Sequence, residues 1–338
     1  MGVSDYFNVP IVGAPMAGGA STAELVAAVH RAGGLGFVAA GYLAPETTAD
    51  LVRRAAARAP GRFGVNLFVP GADTADPSAV AAYGARLAAD ADRLGAALGP
   101  ARWDDDHYPA KLALLTADPV PVVGFTFGCP EPSDVRALRR AGSTVLVTVT
   151  TAGEARAAAE AGADALVVQG AEAGGHQGSF EDTYERTTPL LDLLAEVRAA
   201  VDLPLVAAGG IACADDVRRV LAAGAAAAQV GTVLLRTPES GASRTHKDAL
   251  ADPRFTATTV TRAFSGRRAR ALVNRFVAAH DRIAPGGYPQ VHHLTAPLRA
   301  AAARAGDSER LHLWAGTGFR AADDRPAAEV VASLTTAL

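Results

Sequence analysis

One repeating contrast organises the chain. Eight short apolar runs, at residues 11–14, 36–39, 63–67, 122–125, 145–148, 165–169, 205–208 and 227–230, each give way to an Ala-rich amphipathic stretch. The runs are continuous in Val, Leu, Ile, Phe and Ala instead of alternating with polar residues, as parallel strands buried on both faces require. The stretches between them, among them 22–31, 45–58, 133–140, 152–161, 190–200 and 215–223, carry helical periodicity. Three are followed by Gly142, Gly162 and Gly224, where a left-handed C-cap is expected. Eight strand–helix units predict a closed TIM (β/α)8 barrel. An open doubly wound sheet is the alternative, but no Gly-x-Gly-x-x-Gly follows the first run.

A barrel takes roughly 250 residues, and the chain has 338. Two stretches account for the excess. Residues 70–107 are polar and predict an extended loop containing a helix. Residues 237–307 follow the eighth run and predict a small helical cap, or substrate domain, over the barrel mouth. Its Leu272, Phe276, Val277 and Ile283 would offer an apolar face to a small organic substrate. The expected division is therefore a barrel over 1–236, the cap over 237–307, and a return to the barrel over 308–338 with a final helix from residue 325.

Charge and cysteine content narrow the function classes. Thirty-two Lys and Arg against 35 Asp and Glu give a net charge of -3, which argues against nucleic acid or an anionic membrane as partner. Cys129 and Cys213 have no partner spacing for a disulfide framework or a zinc site. The start has no basic segment before an apolar run, and no stretch has the roughly 18 apolar residues of a membrane span. A cytoplasmic protein is expected. No metal site is expected either: His292 and His293 are adjacent and read as structural, and Asp104-Asp105-Asp106 as a solvated turn.

In a parallel barrel the chemistry sits at the C-terminal strand ends. The first loop, Ala14-Pro15-Met16-Ala17-Gly18-Gly19, is uncharged and lets backbone approach a flat ring. Asn66 ends the third run with an amide. The sixth ends in Gln169, and the loop through Gly174, Gly175 and Gly178 carries His176 near its tip. An imidazole with an ordinary pKa near 6.5 suits proton transfer at neutral pH. After the seventh and eighth runs come Gly209-Gly210 and Gln229-Val230-Gly231-Thr232, loops suited to a phosphate.

Together these residues resemble the nitronate monooxygenase family, once called 2-nitropropane dioxygenases, which are FMN-dependent TIM barrels. The resemblance rests on Ala14-Pro15-Met16-Ala17-Gly18, Gly64-Val65-Asn66-Leu67-Phe68, Phe125-Thr126-Phe127-Gly128, the loop from Gln169 to Gly178, Ala208-Gly209-Gly210-Ile211 and Gln229 to Thr232. Downstream it continues in Thr261-Arg262-Ala263-Phe264-Ser265-Gly266-Arg267, Asn274-Arg275-Phe276 and Leu313-Trp314-Ala315-Gly316. The family's Gly-Gln-Gly is here Gly316-Thr317-Gly318.

The resemblance implies that Asn66, Gln169, Gly174, Gly209, Gly210, Gln229, Val230, Gly231 and Thr232 hold FMN, that Ala14, Pro15 and Met16 lie beside its ring, and that His176 is the general base. The implied reaction oxidises an alkyl nitronate, or a neutral nitroalkane after loss of its α-proton, with O2 to a carbonyl compound and nitrite. A homodimer is compatible with the resemblance. Two rivals share the loops: an FMN-dependent NAD(P)H reductase (a FabK-like enoyl-ACP reductase or an NADH:quinone reductase), and a flavin-free isomerase or lyase binding its substrate's own phosphate.

Overall fold

A computed structural model describes residues 2–182 and 188–336. Eight parallel strands close a barrel in the order β1 (Ile11–Gly13), β2 (Leu35–Ala39), β3 (Phe63–Phe68), β4 (Val122–Thr126), β5 (Thr144–Val149), β6 (Ala165–Gln169), β8 (Leu205–Ala208) and β9 (Ala227–Val230), with β9 pairing back on β1. Each lies within two residues of the run that predicts it. The glycine caps are as expected: Gly142, Gly162 and Gly224 all have positive φ.

Strand parity explains why the runs are continuous. Ile11, Val38, Val65, Val123, Val147, Leu166, Ala207 and Val230 point outward into a core shared with the helices. Val12, Leu35, Phe37, Val122, Leu146, Val167, Val206 and Ala227 point inward and fill the barrel. Val3 and Tyr6, from the N-terminal turn Val3–Tyr6, join that inner cluster, and the Tyr6 hydroxyl is 3.0 Å from Thr144 Oγ1. Both faces exclude water, so neither needs polar residues.

The excess residues build an annexe over the C-terminal strand ends. Residues 70–107 supply the helices Pro77–Arg86 and Ala88–Leu94, the second ending in left-handed Gly95. Helix Tyr108–Ala117 then follows and leads into β4. The stretch after β9 is not purely helical, as the sequence led us to expect. Between the helices Arg244–Ala251 and Gln290–Ala305 it forms β10 (Thr258–Thr261) and β11 (Ala269–Leu272), which pair antiparallel. β11 also pairs with β7 (Gly175–His176), the loop strand after β6. Short β-branched runs beside Arg-rich turns carry little periodicity, which is why this ribbon was missed.

The annexe core is drawn from both insertions: Tyr83, Leu87, Phe264, Phe276, Val277, Val291 and Leu298 pack together. A neighbouring cluster joins Leu250 and Leu272 to Leu311, Leu313 and Phe319 from the C-terminal segment. Leu272, Phe276 and Val277 are therefore interior packing and not a substrate face, while Ile283 is 47% exposed. The helix Ala327–Leu334 returns to the barrel core.

Candidate active site

Between the strand ends and the annexe lies a cavity of about 550 Å³, the size of a cofactor site. Its barrel wall follows from parity. Asn66, Thr126, Thr148, Gln169 and Gln229 occupy inward positions at the strand ends, where the filled interior gives way to open space, and all line the cavity. Val230 is outward by the same parity. Its side chain lies in the outer core and does not line the cavity, and its carbonyl accepts a 2.8 Å hydrogen bond from Ala14 N–H. Ala14, Pro15, Met16, Gly174, Gly209, Gly210, Gly231 and Thr232 all line it. Thr126 and Thr148 were overlooked, although parity marks them.

The loops after β8 and β9 present donors. The backbone N–H groups of Gly209, Gly210, Gly231 and Thr232 have no acceptor among the described residues. At the N-terminus of the helix Ala214–Ala222, Asp216 Oδ2 accepts from Ala212 and Cys213 N–H at 2.9 and 3.2 Å, and none of residues 212–216 lines the cavity. An anion here would meet loop amides. Gly210 has φ +70, and a Cβ would come within 2.8 Å of Glu172 Cβ; at Gly174 it would come within 2.4 Å of Gly316 N. Gly316 N–H donates to Thr232 Oγ1 at 3.0 Å, and Gly316 and Gly318 both line the cavity. The C-terminal segment thus closes this end, with Thr317 exposed between two glycines.

His176 is fixed by hydrogen bonds from both sides. Gln169 Nε2 donates to the His176 carbonyl at 3.2 Å, and Gln169 Oε1 accepts from Gly178 N–H at 2.7 Å. His176 Nε2 lies 2.8 Å from Ser265 Oγ, which donates its one hydrogen to the Arg267 carbonyl at 3.1 Å. Ser265 therefore accepts from Nε2–H, and Nδ1 is left as the open lone pair. Phe127, Tyr288 and Trp314 surround the ring at centroid distances of 5.6, 5.8 and 5.3 Å. Burial, then the Arg267 and Arg299 guanidiniums, push its pKa down to about 3. The imidazole is neutral throughout the physiological range.

Most of the annexe wall was not anticipated. His246, His292, Arg299, His312 and Trp314 line the cavity. His292, read from the sequence as structural, stacks on Tyr42 at 4.0 Å with 10° between planes and also lines the cavity. Burial holds His246 down to about 4 and His292 and His312 well below the usual range. Tyr42 and Phe127 take positive φ of 68° and 78° at the ends of β2 and β4, conformations that cost on the order of 1–2 kcal/mol each. The turn expected to be solvated is tied down: Asp106 pairs with fully buried Lys111 at 2.8 Å, and Asp104 with His293 at 2.8 Å. Cys129 lies outside the cavity, 3.7 Å from the Ala157 carbonyl. No group able to hold a metal occurs among the described residues.

The nitronate monooxygenase family model matches residues 3–337. The chain belongs to the nitronate monooxygenase family. Among curated members it is 40% identical to the nitronate monooxygenase of Pseudomonas aeruginosa over 97% of this chain and 96% of that one. Among solved structures it resembles a nitroalkane oxidase from Streptomyces ansochromogenes, with 52% identity, 99% and 96% coverage and a TM-score of 0.96. FabK from Thermotoga maritima is more distant, with 25% identity, 99% and 94% coverage and a TM-score of 0.76. The chain is thus an oxidoreductase of the nitronate monooxygenase family, and no helix among the described residues is long and apolar enough to cross a membrane.

Proposed function

We propose that this family member binds FMN and oxidises alkyl nitronates, and neutral nitroalkanes after deprotonation, with O2 to a carbonyl compound and nitrite. The observation that carries the reading is His176: a neutral imidazole in an aromatic enclosure, with Nδ1 open to a cofactor-sized cavity and Nε2–H committed to Ser265.

The residues present fit the flavin. The amides of Gly209, Gly210, Gly231 and Thr232 would hold its phosphate, Ala14 to Met16 would lie beside the ring, and Asn66, Gln169 and Gln229 offer amides for its polar edge. Bound FMN supplies an electron acceptor, which no side chain of this chain can be. The protein supplies position and dryness. Gln169 and Ser265 orient His176, and Phe127, Tyr288 and Trp314 keep water from it. Nδ1 accepts the α-proton of a neutral nitroalkane. The imidazolium and nitronate so formed are an ion pair, which offsets the burial that makes the imidazole a weak base. A substrate that arrives as the nitronate needs no base.

The test is an absorption spectrum of the purified protein, followed by anaerobic mixing with propionate-3-nitronate and, separately, with NADH. A yellow protein bleached by the nitronate and not by NADH is expected. Rapid bleaching by NADH alone would move the protein to the reductases, and a colourless protein that takes up no added flavin would remove the reading. His176→Asn should keep its flavin and lose turnover of neutral nitroalkanes by about 10²–10⁴-fold, with much less loss on pre-formed nitronates; equal loss on both would remove the base assignment.

A further inference from the structure

Several buried or half-buried cations in this protein face a carboxylate, whereas buried Arg267 donates to the Ser179 carbonyl and lies over the Phe127 ring, 4.1 Å from its centroid. Lys111 pairs with Asp106, Arg262 with Asp182, and Arg310 with both Asp90 and Asp307. Arg299 does not. It projects from the helix Gln290–Ala305 into the cavity wall, and among the described residues no Asp or Glu lies within ion-pair distance of it. The ionisable groups placed to offset its charge are the phenols of Tyr42 and Tyr288, and burial pushes the pKa of both up, so at neutral pH neither carries a charge to do so. Taking a charge out of water without a partner costs several kcal/mol. Burial pulls the guanidinium down to about 10, so it is still charged at neutral pH.

Its hydrogen bonds show which atom is spare. Nε donates to Thr295 Oγ1 at 3.1 Å, and Nη2 donates to the His292 carbonyl at 2.8 Å and approaches His292 Nδ1 at 3.2 Å. Thr295 in turn donates to the Phe264 carbonyl, which locks the acceptor in place. Nη1 has no acceptor among the described residues, and it is not sealed from the cavity. The side chain is therefore held rigid by two of its three nitrogens, with the third presented to the open space. The imidazoles near it, His176, His292 and His312, are all held neutral in part by its charge, so none competes for an anion.

We propose that Arg299 is the anion-holding residue of the cavity, its Nη1 hydrogen-bonding an oxygen of the substrate's planar oxyanion group. The proposal rests on the nitronate reading and sharpens it: the site is built for the ionised substrate, and His176 serves only those molecules that arrive protonated. A neutral nitroalkane would gain the Arg299 contact in full only as the proton leaves carbon and negative charge builds on the nitro oxygens.

The probe is nitrate, a planar oxyanion with no C–H bond to lose, titrated against purified holoenzyme and read by the fluorescence of Trp314 in a Trp103→Phe background. Arg299→Gln should weaken nitrate binding at least tenfold, about what a charge-assisted hydrogen bond contributes, and Arg299→Lys should recover most of it. In kinetics, Arg299→Gln should raise KM for a pre-formed nitronate by a similar factor and leave KM for the neutral nitroalkane within about threefold. Ala296→Leu, at another cavity-lining position three residues before Arg299 on the same helix, serves as a second variant should Arg299→Gln not fold, and should also weaken nitrate binding by filling the space. Nitrate binding unchanged in a folded Arg299→Gln protein, or equal KM increases for both substrates, would overturn the proposal. Arg299-dependent nitrate binding in a protein that turns over no nitronate would leave the anion site standing and remove the reaction instead.

Discussion

The two walls of the cavity offer hydrogen bonds by different means. The barrel wall at β8 and β9 offers main-chain amides, those of Gly209, Gly210, Gly231 and Thr232, beside glycines whose missing side chains leave the space. The annexe wall offers side chains, with His246, His292, Arg299, His312 and Trp314 standing on helices and loops from outside the barrel. Backbone donors cannot be tuned by substitution, and they suit a constant group such as a phosphate. Side chains can be exchanged singly, and they suit whatever varies among substrates. On the proposed reading, the barrel wall would hold the cofactor and the annexe wall would set the specificity.

The largest effect should come from filling the backbone wall. Gly174→Val would drive side-chain atoms into Gly316 N and the Ala315 backbone, 2.4 and 2.6 Å from the position of a Cβ. Flavin affinity, measured by fluorescence titration, should fall by more than about 100-fold, since overpacking against main chain is not relieved by rotamer changes. Retention of flavin in this variant would break the comparison.

Acid should act on the other wall. His176, His246, His292 and His312 all have folded pKa values below their ordinary 6.5, so the unfolded chain binds protons first as pH falls. Their contribution to stability is complete above about pH 6.5 and is lost as pH falls toward the folded values. With two or more protons taken up on unfolding, the unfolding constant should rise by about 100-fold or more per pH unit once pH is below 6. Denaturant midpoints measured from pH 7 to 5 would show it; a flat profile would mean that these histidines are not held neutral.

Ser265→Ala comes next. It removes the acceptor that fixes Nε2–H and leaves His176 free to place its proton on Nδ1. Turnover of neutral nitroalkanes should drop about tenfold, near the contribution of one hydrogen bond, with flavin retention unchanged; a loss of flavin as well would show that the two walls are not separable. Smallest of all is Thr317→Gln, which restores the family pattern at an exposed side chain between two wall glycines. Flavin affinity should stay within about threefold, because what this segment offers the cavity is backbone.

The same contrast explains what could be read from the sequence. The barrel was legible because eight strands buried on both faces need eight continuous apolar runs. Its wall of the cavity was legible too, since close backbone approach demands glycine and leaves Gly209-Gly210 and Gly174-Gly175 as marks. Val230, one residue beyond inward-facing Gln229, turns its side chain into the outer core, a difference that strand parity marks. The annexe wall was not legible. Arg299 and His312 are ordinary residues of a helix and a loop, with no local pattern to mark them, and they line the cavity only in the folded annexe. The ribbon of β10 and β11 was hidden for a similar reason: its partner β7 is a two-residue strand that exists only once the annexe has docked.

That docking has a consequence for motion. His176 sits on β7, whose neighbour in the sheet is β11, and the side chain of Ser265 that orients its ring belongs to the annexe as well. Gln169, which grips the same loop from the other side, belongs to the barrel. The imidazole is thus stitched to two bodies at once, and its alignment lasts only while they remain together. Lifting the annexe to admit or release a bulky molecule would tear one seam or the other, so the protein cannot be both open and armed.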